Sequence, residues 1–331
     1  MLYLRLLVHA KAVVRTGTTT VEETQDTVNL MKNLEPLKIF NDQAIGKLFM
    51  PDGLCYETHL SLIPTIIHGR SIAVKVEEYK WILIKGGGWN FGGPLVYISK
   101  KDAELVFGLC PTEAAKREIV ISNKIEEFTD DFPKALYYKR FLDYKMPERF
   151  DFFSGIKYSD GKLVDPCLLY TQVKFPYRVA DLAYLNDKEK EECINLCCKY
   201  WKVSREEYID CFAKKLAEHV AILHKNSFIN DTLEYSNVTM LAEIVDYELF
   251  TYPGILFEDG DDGQEKPNER KEKEILYASE IVLQLSNFIH KPLTLFETYR
   301  KVVDEYKKIN LDFINSNDAI NKIYNGESVI L

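Results

Sequence analysis

The segment SREEYIDCFAKKLAEHVAILHKN sets Tyr208, Phe212, Leu216, Val220 and Leu223 at spacings of three and four, one apolar stripe along an α-helix. A helix with a single such face has to lie against a core. Here the chain passes, after Lys225-Asn226-Ser227, into short β-like runs, NVTML and then EIVDYELF, with almost no linker. Helix and strand therefore share one packed unit, which points to an α+β chain.

The N-terminal half has a different texture. From Ile66 to Ile84 the sequence reads as a β-hairpin, IIHGRSIAVKV and KWILIK, divided by the polar stretch Glu77–Lys80. Gly86, Gly87 and Gly88, followed by Gly92, Gly93 and Pro94, cannot continue a strand and form a loop that lets backbone approach a ligand closely. Pro111 and Thr112, the latter as N-cap, open a helix with Ile119, Ile121 or Ser122, and Ile125 near one face. The aromatic stretch FPKALYYKRFLDYKMPERFDFF has no clean period and reads only as partly buried.

Further on, DKEKEECINLCCKYW is helical, as is the tail from Ile275 to Ile314, with Ile281, Leu283, Leu285, Phe288 and Ile289 apolar. Between them, EDGDDGQEKPNERKEKE, residues 258–274, is charged and nearly free of apolar groups, and reads as a solvated insert. No internal repeat is present. With 331 residues, 46% of them hydrophobic, the chain is long enough for two lobes. Residues 1–170 would hold the sheet, the glycine-rich loop and the Lys/Glu helix; residues 171–331 would be mostly helical and carry a metal-binding loop.

Net charge and cysteines narrow the function. A formal charge of −9 argues against nucleic acid as the main ligand, because such binders carry a basic stripe. The seven cysteines, Cys55, Cys110, Cys167, Cys193, Cys197, Cys198 and Cys211, lack paired CxxC spacing, so neither a disulfide framework nor a zinc site is indicated. A reducing cytoplasm fits. The opening MLYLRLLVHAKAVV is interrupted by Arg5, His9 and Lys11 and reads as the edge of a strand or helix; no segment has the apolar length to span a bilayer.

Three features could carry chemistry. Lys85 ends an apolar strand directly before the glycines, where a cation can neutralise nucleotide phosphates; the plain alternative is a lysine facing solvent ahead of a turn. KGGGW lacks the GxxxxGK[ST] form of a P-loop. Glu118, beside Arg117 on the following helix, gains meaning only from its order and distance relative to Lys85. Asn237 and Asp246 bracket the short β-like runs, an oxygen pair suited to a divalent cation, or else a turn-forming Asn and an exposed Asp. His219 and His224 lack ligand-spaced partners and read as structural. There is no GxSxG elbow.

Taken in order, these motifs resemble the selenoprotein O (SelO) family of atypical protein-kinase-like proteins, over roughly Thr65 to Phe257. Its active-centre motif runs approximately GF.HG..NTDNMS.LGE.IDYGPF. Here SFINDTLEYSNVTMLAEIVDYELF stands in the same register, matching at Asn237, Leu241, Glu243, Asp246, Tyr247 and Phe250. Gly69-Arg70-Ser71, Lys85-Gly86-Gly87-Gly88, Gly108, Arg117-Glu118 and Arg178-Val179-Ala180 follow the family's upstream order.

The resemblance implies a two-lobed kinase-like fold, ATP with Mg2+ or Mn2+, and transfer of AMP to protein hydroxyls. By it, Lys85, Gly86, Gly87, Gly108 and Arg178 would hold the nucleotide. Glu118 would position Lys85, and Asn237 and Asp246 would bind the cation. AMP transfer and phosphate transfer to a protein or small-molecule hydroxyl use the same lysine and metal, so these residues do not choose between them.

The family's HG is Asn230-Asp231 here, its second arginine falls on Leu185, and its acidic base stands at Ser236, which cannot accept a proton as a carboxylate does. Asp231 and Glu234 are the replacement bases on offer in the same loop; without one, the chain would be a nucleotide-gated binding module rather than an enzyme.

Overall fold

The apolar stripe from Tyr208 to Leu223 forms a deeply buried helix. In the computed structural model, the described residues are 46–49, 55–58, 71–85, 110–140, 166–230, 232–253 and 267–310. They form an α+β chain that divides into two units. The first comprises residues 1–124 and 133–176, the second residues 125–132 and 177–331.

In the first unit, β1 (Gly46–Phe49) pairs antiparallel with β2 (Cys55–Thr58). The expected hairpin is β3 (Ser71–Glu77) and β4 (Lys80–Lys85), with Tyr79 in the left-handed region at φ 58° where the chain reverses. Trp81, Ile82, Leu83 and Ile84 are all buried. A run apolar on both faces is what an interior strand requires.

After β5 (Cys110–Pro111) comes α1 (Thr112–Glu126), which starts directly after Pro111. Next are β6 (Lys134–Arg140) and β7 (Pro166–Val173). The sheet order is β3-β4-β7-β5, with β6 also pairing β7. Lys85 lies opposite both Ser71 and Leu169, so its backbone is held from two sides.

The second unit is mainly helical: α2 (Asp187–Trp201), α3 (Tyr208–Lys225), α4 (Pro267–Phe288) and α5 (Leu295–Ile309). A short 3-10 helix, Val179–Tyr184, precedes α2. Asn186 caps α2 reciprocally with Glu189, each side chain taking the other's backbone N–H. Thr294 and Glu297 repeat the arrangement at α5.

Along α3, Tyr208, Phe212, Leu216, Val220 and Leu223 are all 0% exposed, and the helix packs against α4 and α5. Each large apolar side chain so buried contributes about 1.5–3 kcal/mol. After α3, β8 (Ile229–Asn230) pairs with β9 (Phe250–Thr251), while the two expected β-like runs meet each other only in an isolated bridge between Val238 and Ile244.

One expectation is overturned. Residues 267–274 are not a solvated insert but the first turns of α4, and Glu274 is buried. Pro267 fits a first helical position, where its missing N–H is no loss. The charges of NERKEKE lie along the outside of the helix, except that Glu274 turns inward to the hydrogen bonds described below. Residues 258–266 lie outside the described residues.

Candidate functional site

In the first unit, α1 buries Ala115, Glu118 and Ser122, spaced three and four apart along one face. Glu118 thus occupies a position where an apolar group would be expected. A carboxylate there needs a partner, because an isolated buried charge is strongly disfavoured. The partner is Lys85: Nζ lies 2.5 Å from Glu118 Oε1, with side-chain exposures of 9% and 3%. β4 fixes the lysine and α1 fixes the glutamate. The helix is itself tied to β6, where the Ala135 N–H donates to Ser122 Oγ over 2.9 Å.

Beside this pair stand two cysteines that no local sequence pattern brings together. Cys110 of β5 lies directly opposite Cys167 of β7, and both are fully buried. A hydrogen bond with Cys167, with burial next, pushes the Cys110 thiol well above its ordinary range, while the charge of Lys85 acts the other way. It is held as a neutral thiol, unsuited to nucleophilic attack or metal ligation.

In the second unit the residues singled out in the sequence gather on the loop that leaves β8. Arg178 approaches from the segment ahead of the 3-10 helix, where its own N–H donates to Asp181 Oδ2 over 2.7 Å. Its Nη1 donates to the Ser236 carbonyl at 2.6 Å and to Asn237 Oδ1 at 3.3 Å. Backbone bonds hold the same strip together: Val179 N–H donates to Val238 O, and Ala180 N–H to Tyr235 O.

Asn237 is fixed on its other side too, its Nδ2 donating to the Thr232 carbonyl over 3.0 Å. Ser236 donates its hydroxyl proton to Glu234 Oε1 at 2.6 Å, and the Asn237 N–H donates to the Glu234 carbonyl. Ser236 is buried, whereas Glu234 is exposed.

A tight turn then leads to Asp246. Thr239 and Glu243 close it through a backbone bond and through Thr239 Oγ1 donating to Glu243 Oε2 at 3.2 Å, with Ala242 at φ 59°. The Val245 N–H donates to the Asn237 carbonyl over 2.9 Å, which ties the backbone just before Asp246 to that of Asn237. Asp246 takes a left-handed conformation, φ 70° and ψ 70°, uncommon for a residue with a Cβ. Carboxylate oxygens of Asp246 and Glu248 lie within 4.8 Å of each other. Glu248 was not expected from the sequence; its signal is only its place two residues beyond Asp246.

The histidines are structural groups of this unit. His219 Nδ1 lies 2.8 Å from the Ala242 carbonyl, bracing the turn, and Nε2 lies 3.2 Å from Asp131 Oδ2. His224 Nε2 lies 3.0 Å from Glu274 Oε2, and Nδ1 lies 2.9 Å from the Tyr306 hydroxyl. Burial, with Lys271 adding to it, lowers His224 to about 3, so the ring is neutral at physiological pH. Its Nε2–H then donates to the carboxylate and Nδ1 accepts from the tyrosine. The other carboxylate oxygen of Glu274 accepts from the Asn230 N–H at 2.6 Å.

Of the expected site residues, Lys85 and Glu118 meet in the first unit, and Arg178, Asn237, Glu234 and Asp246 belong to one connected segment of the second. Gly86, Gly87, Gly108 and Asp231 lie outside the described residues. No helix among the described residues is long and apolar enough to cross a membrane. No protein-family model matches the chain, and no curated protein matches it.

Proposed function

We propose that this chain is an ATP- and divalent-metal-dependent transferase with a two-lobed, protein-kinase-like fold akin to the selenoprotein O family. It would move AMP or phosphate onto a hydroxyl of a protein or small molecule, in the cytoplasm. The observation that carries the reading is the buried ion pair of Lys85 and Glu118. A strand-end lysine held by a helix carboxylate is how a kinase-like site keeps a cation aimed at phosphates. As a pure stability device the pair would be a poor choice, since burying two charges costs about as much as their attraction returns.

The residues of the second unit fit a hard divalent cation. Asp246 and Glu248 offer carboxylate oxygens within 4.8 Å of each other, and Asn237 Oδ1 keeps a lone pair beyond the one that Arg178 uses. Asn237 and Asp246 would hold Mg2+ or Mn2+, with Glu248 at hand. When bound, the ion would neutralise charge developing on the phosphate oxygens. Lys85 would do the same from its own strand, and Arg178 would keep Asn237 oriented. Gly86, Gly87 and Gly108 remain the proposed backbone contacts to nucleotide.

Glu234 is the base this reading prefers. Its carboxylate already accepts a proton-bearing oxygen, that of Ser236, and it is exposed to an incoming acceptor. Asp231 stays the alternative from the same loop. A second reading, a nucleotide-gated binding module without catalysis, is favoured by Ser236, which stands where the family has its acidic base and cannot accept a proton as a carboxylate does.

Incubation with ATP labelled on the α or the γ phosphate, in the presence of Mg2+, separates these possibilities. Label carried from α means AMP transfer, and label carried from γ means phosphate transfer. Metal-dependent binding of ATP with neither label moved leaves the binding module.

A further inference from the structure

We infer that Tyr306 of α5 and Glu274 of α4 are positioning residues for the loop that bears Glu234 and Asn237, with His224 of α3 as the relay between them. The inference rests on the transferase reading for the meaning of the loop, but not for the geometry, all of which lies within the second unit.

The hydrogen bonds converge on Glu274 from two sides. Asn310 Nδ2 donates to the Tyr306 hydroxyl oxygen over 2.8 Å, leaving the hydroxyl proton for His224 Nδ1 at 2.9 Å. His224 Nε2–H donates to Glu274 Oε2, and the Asn230 N–H donates to Glu274 Oε1. Asn230 Oδ1 then accepts from both the N–H and the hydroxyl of Thr232, each at 3.1 Å. The Thr232 carbonyl takes Nδ2 of Asn237. A chain of fixed groups therefore joins the last described helix to the side chain of the proposed metal ligand.

Burial gives this chain its force. Tyr306 is 0%, His224 1%, Glu274 2% and Asn230 1% exposed. In so dry a setting each member has its partners or carries the full cost of desolvation, so a break at one point is felt along the line. An unconstrained core would fill this space with apolar side chains at least as stably. What the polar chain adds is a defined position for the Asn230 backbone, where β8 ends and the loop begins.

The test uses the full chain, with ATP plus Mg2+ as the ligand probe and hydrogen exchange across residues 230–237 as the loop probe. Glu274→Gln and Tyr306→Phe cut the chain at two points; Val302→Ala, on the same buried face of α5 but outside it, serves as the packing control. Both cuts are expected to speed exchange in the loop and to weaken Mg2+-ATP binding about tenfold, as loss of an outer-shell partner commonly does. Val302→Ala should lower the melting temperature and leave loop and affinity alone.

Unchanged loop exchange and affinity in either chain-cutting variant that folds would overturn the inference. So would a Val302→Ala protein whose loop opens as much. If the unaltered chain binds no Mg2+-ATP, the transferase reading fails on that result, and hydrogen exchange alone decides whether the relay positions the loop.

Discussion

Lys85 and Glu118, 33 positions apart in sequence, meet as a buried ion pair with Nζ 2.5 Å from Oε1. Neither charge has an easy route to solvent, so the two are energetically one object. Lys85→Met alone should cost about 3–5 kcal/mol, because it leaves a carboxylate stranded in the interior. Lys85→Met with Glu118→Leu should recover most of that loss. Urea unfolding of the single and double variants gives the cycle directly, and simple additivity would contradict the coupling.

Local pattern marked Lys85 of this pair and not Glu118, and their contact was expected only from the resemblance in motif order. Lys85 stood out because an apolar strand ends in it; Glu118 did not, because most helical glutamates face water, and its burial follows from the helix face that Ala115 and Ser122 define. The stripe of α3 was readable because burial imposes a period on it. The partnership of Cys110 and Cys167 was not readable, since β5 and β7 are far apart in sequence and no connecting turn sets their register. Glu274 was missed for a different reason. A charged run looks solvated until one of its charges is known to cap a buried loop; the available cue was Pro267, suited to starting a helix that Ile275 and Leu276 continue.

Arg178 bridges two points of the proposed metal loop through one nitrogen. Arg178→Leu should lower unfolding stability by about 1.5–3 kcal/mol, the range for hydrogen bonds made by a charged group. It should also reduce the melting shift produced by Mg2+-ATP, because Asn237 loses a partner that orients it. A variant with lowered stability and an unchanged ligand shift would remove Arg178 from the site.

Acid should weaken the second unit through His224. An unfolded histidine titrates near its ordinary value of 6.5, whereas burial and Lys271 bring His224 down to about 3. The folded state keeps the ring neutral, so its contribution is complete above the unfolded value and is lost as pH falls from there through the folded one. The slope is at most about 1.4 kcal/mol per pH unit for one proton. His224→Gln does not titrate. The stability gap between the unaltered protein and this variant should therefore narrow on acidification, and a gap constant with pH would rule out the neutral buried ring.

Glu234 is exposed, and Glu234→Gln should change unfolding stability by no more than about 0.5 kcal/mol. If the carboxylate is the base, the same change should slow label transfer about a hundredfold or more. An unchanged rate would pass the role to Asp231.

Melting of the chain with ATP, with and without Mg2+, tests the transferase account most directly, since a ligand of the folded state raises stability with its occupancy. The account predicts a rise that requires both ATP and the metal, is lost in Asp246→Asn and is strongly reduced in Lys85→Met. No shift at saturating Mg2+-ATP, or one that survives both substitutions, would contradict it.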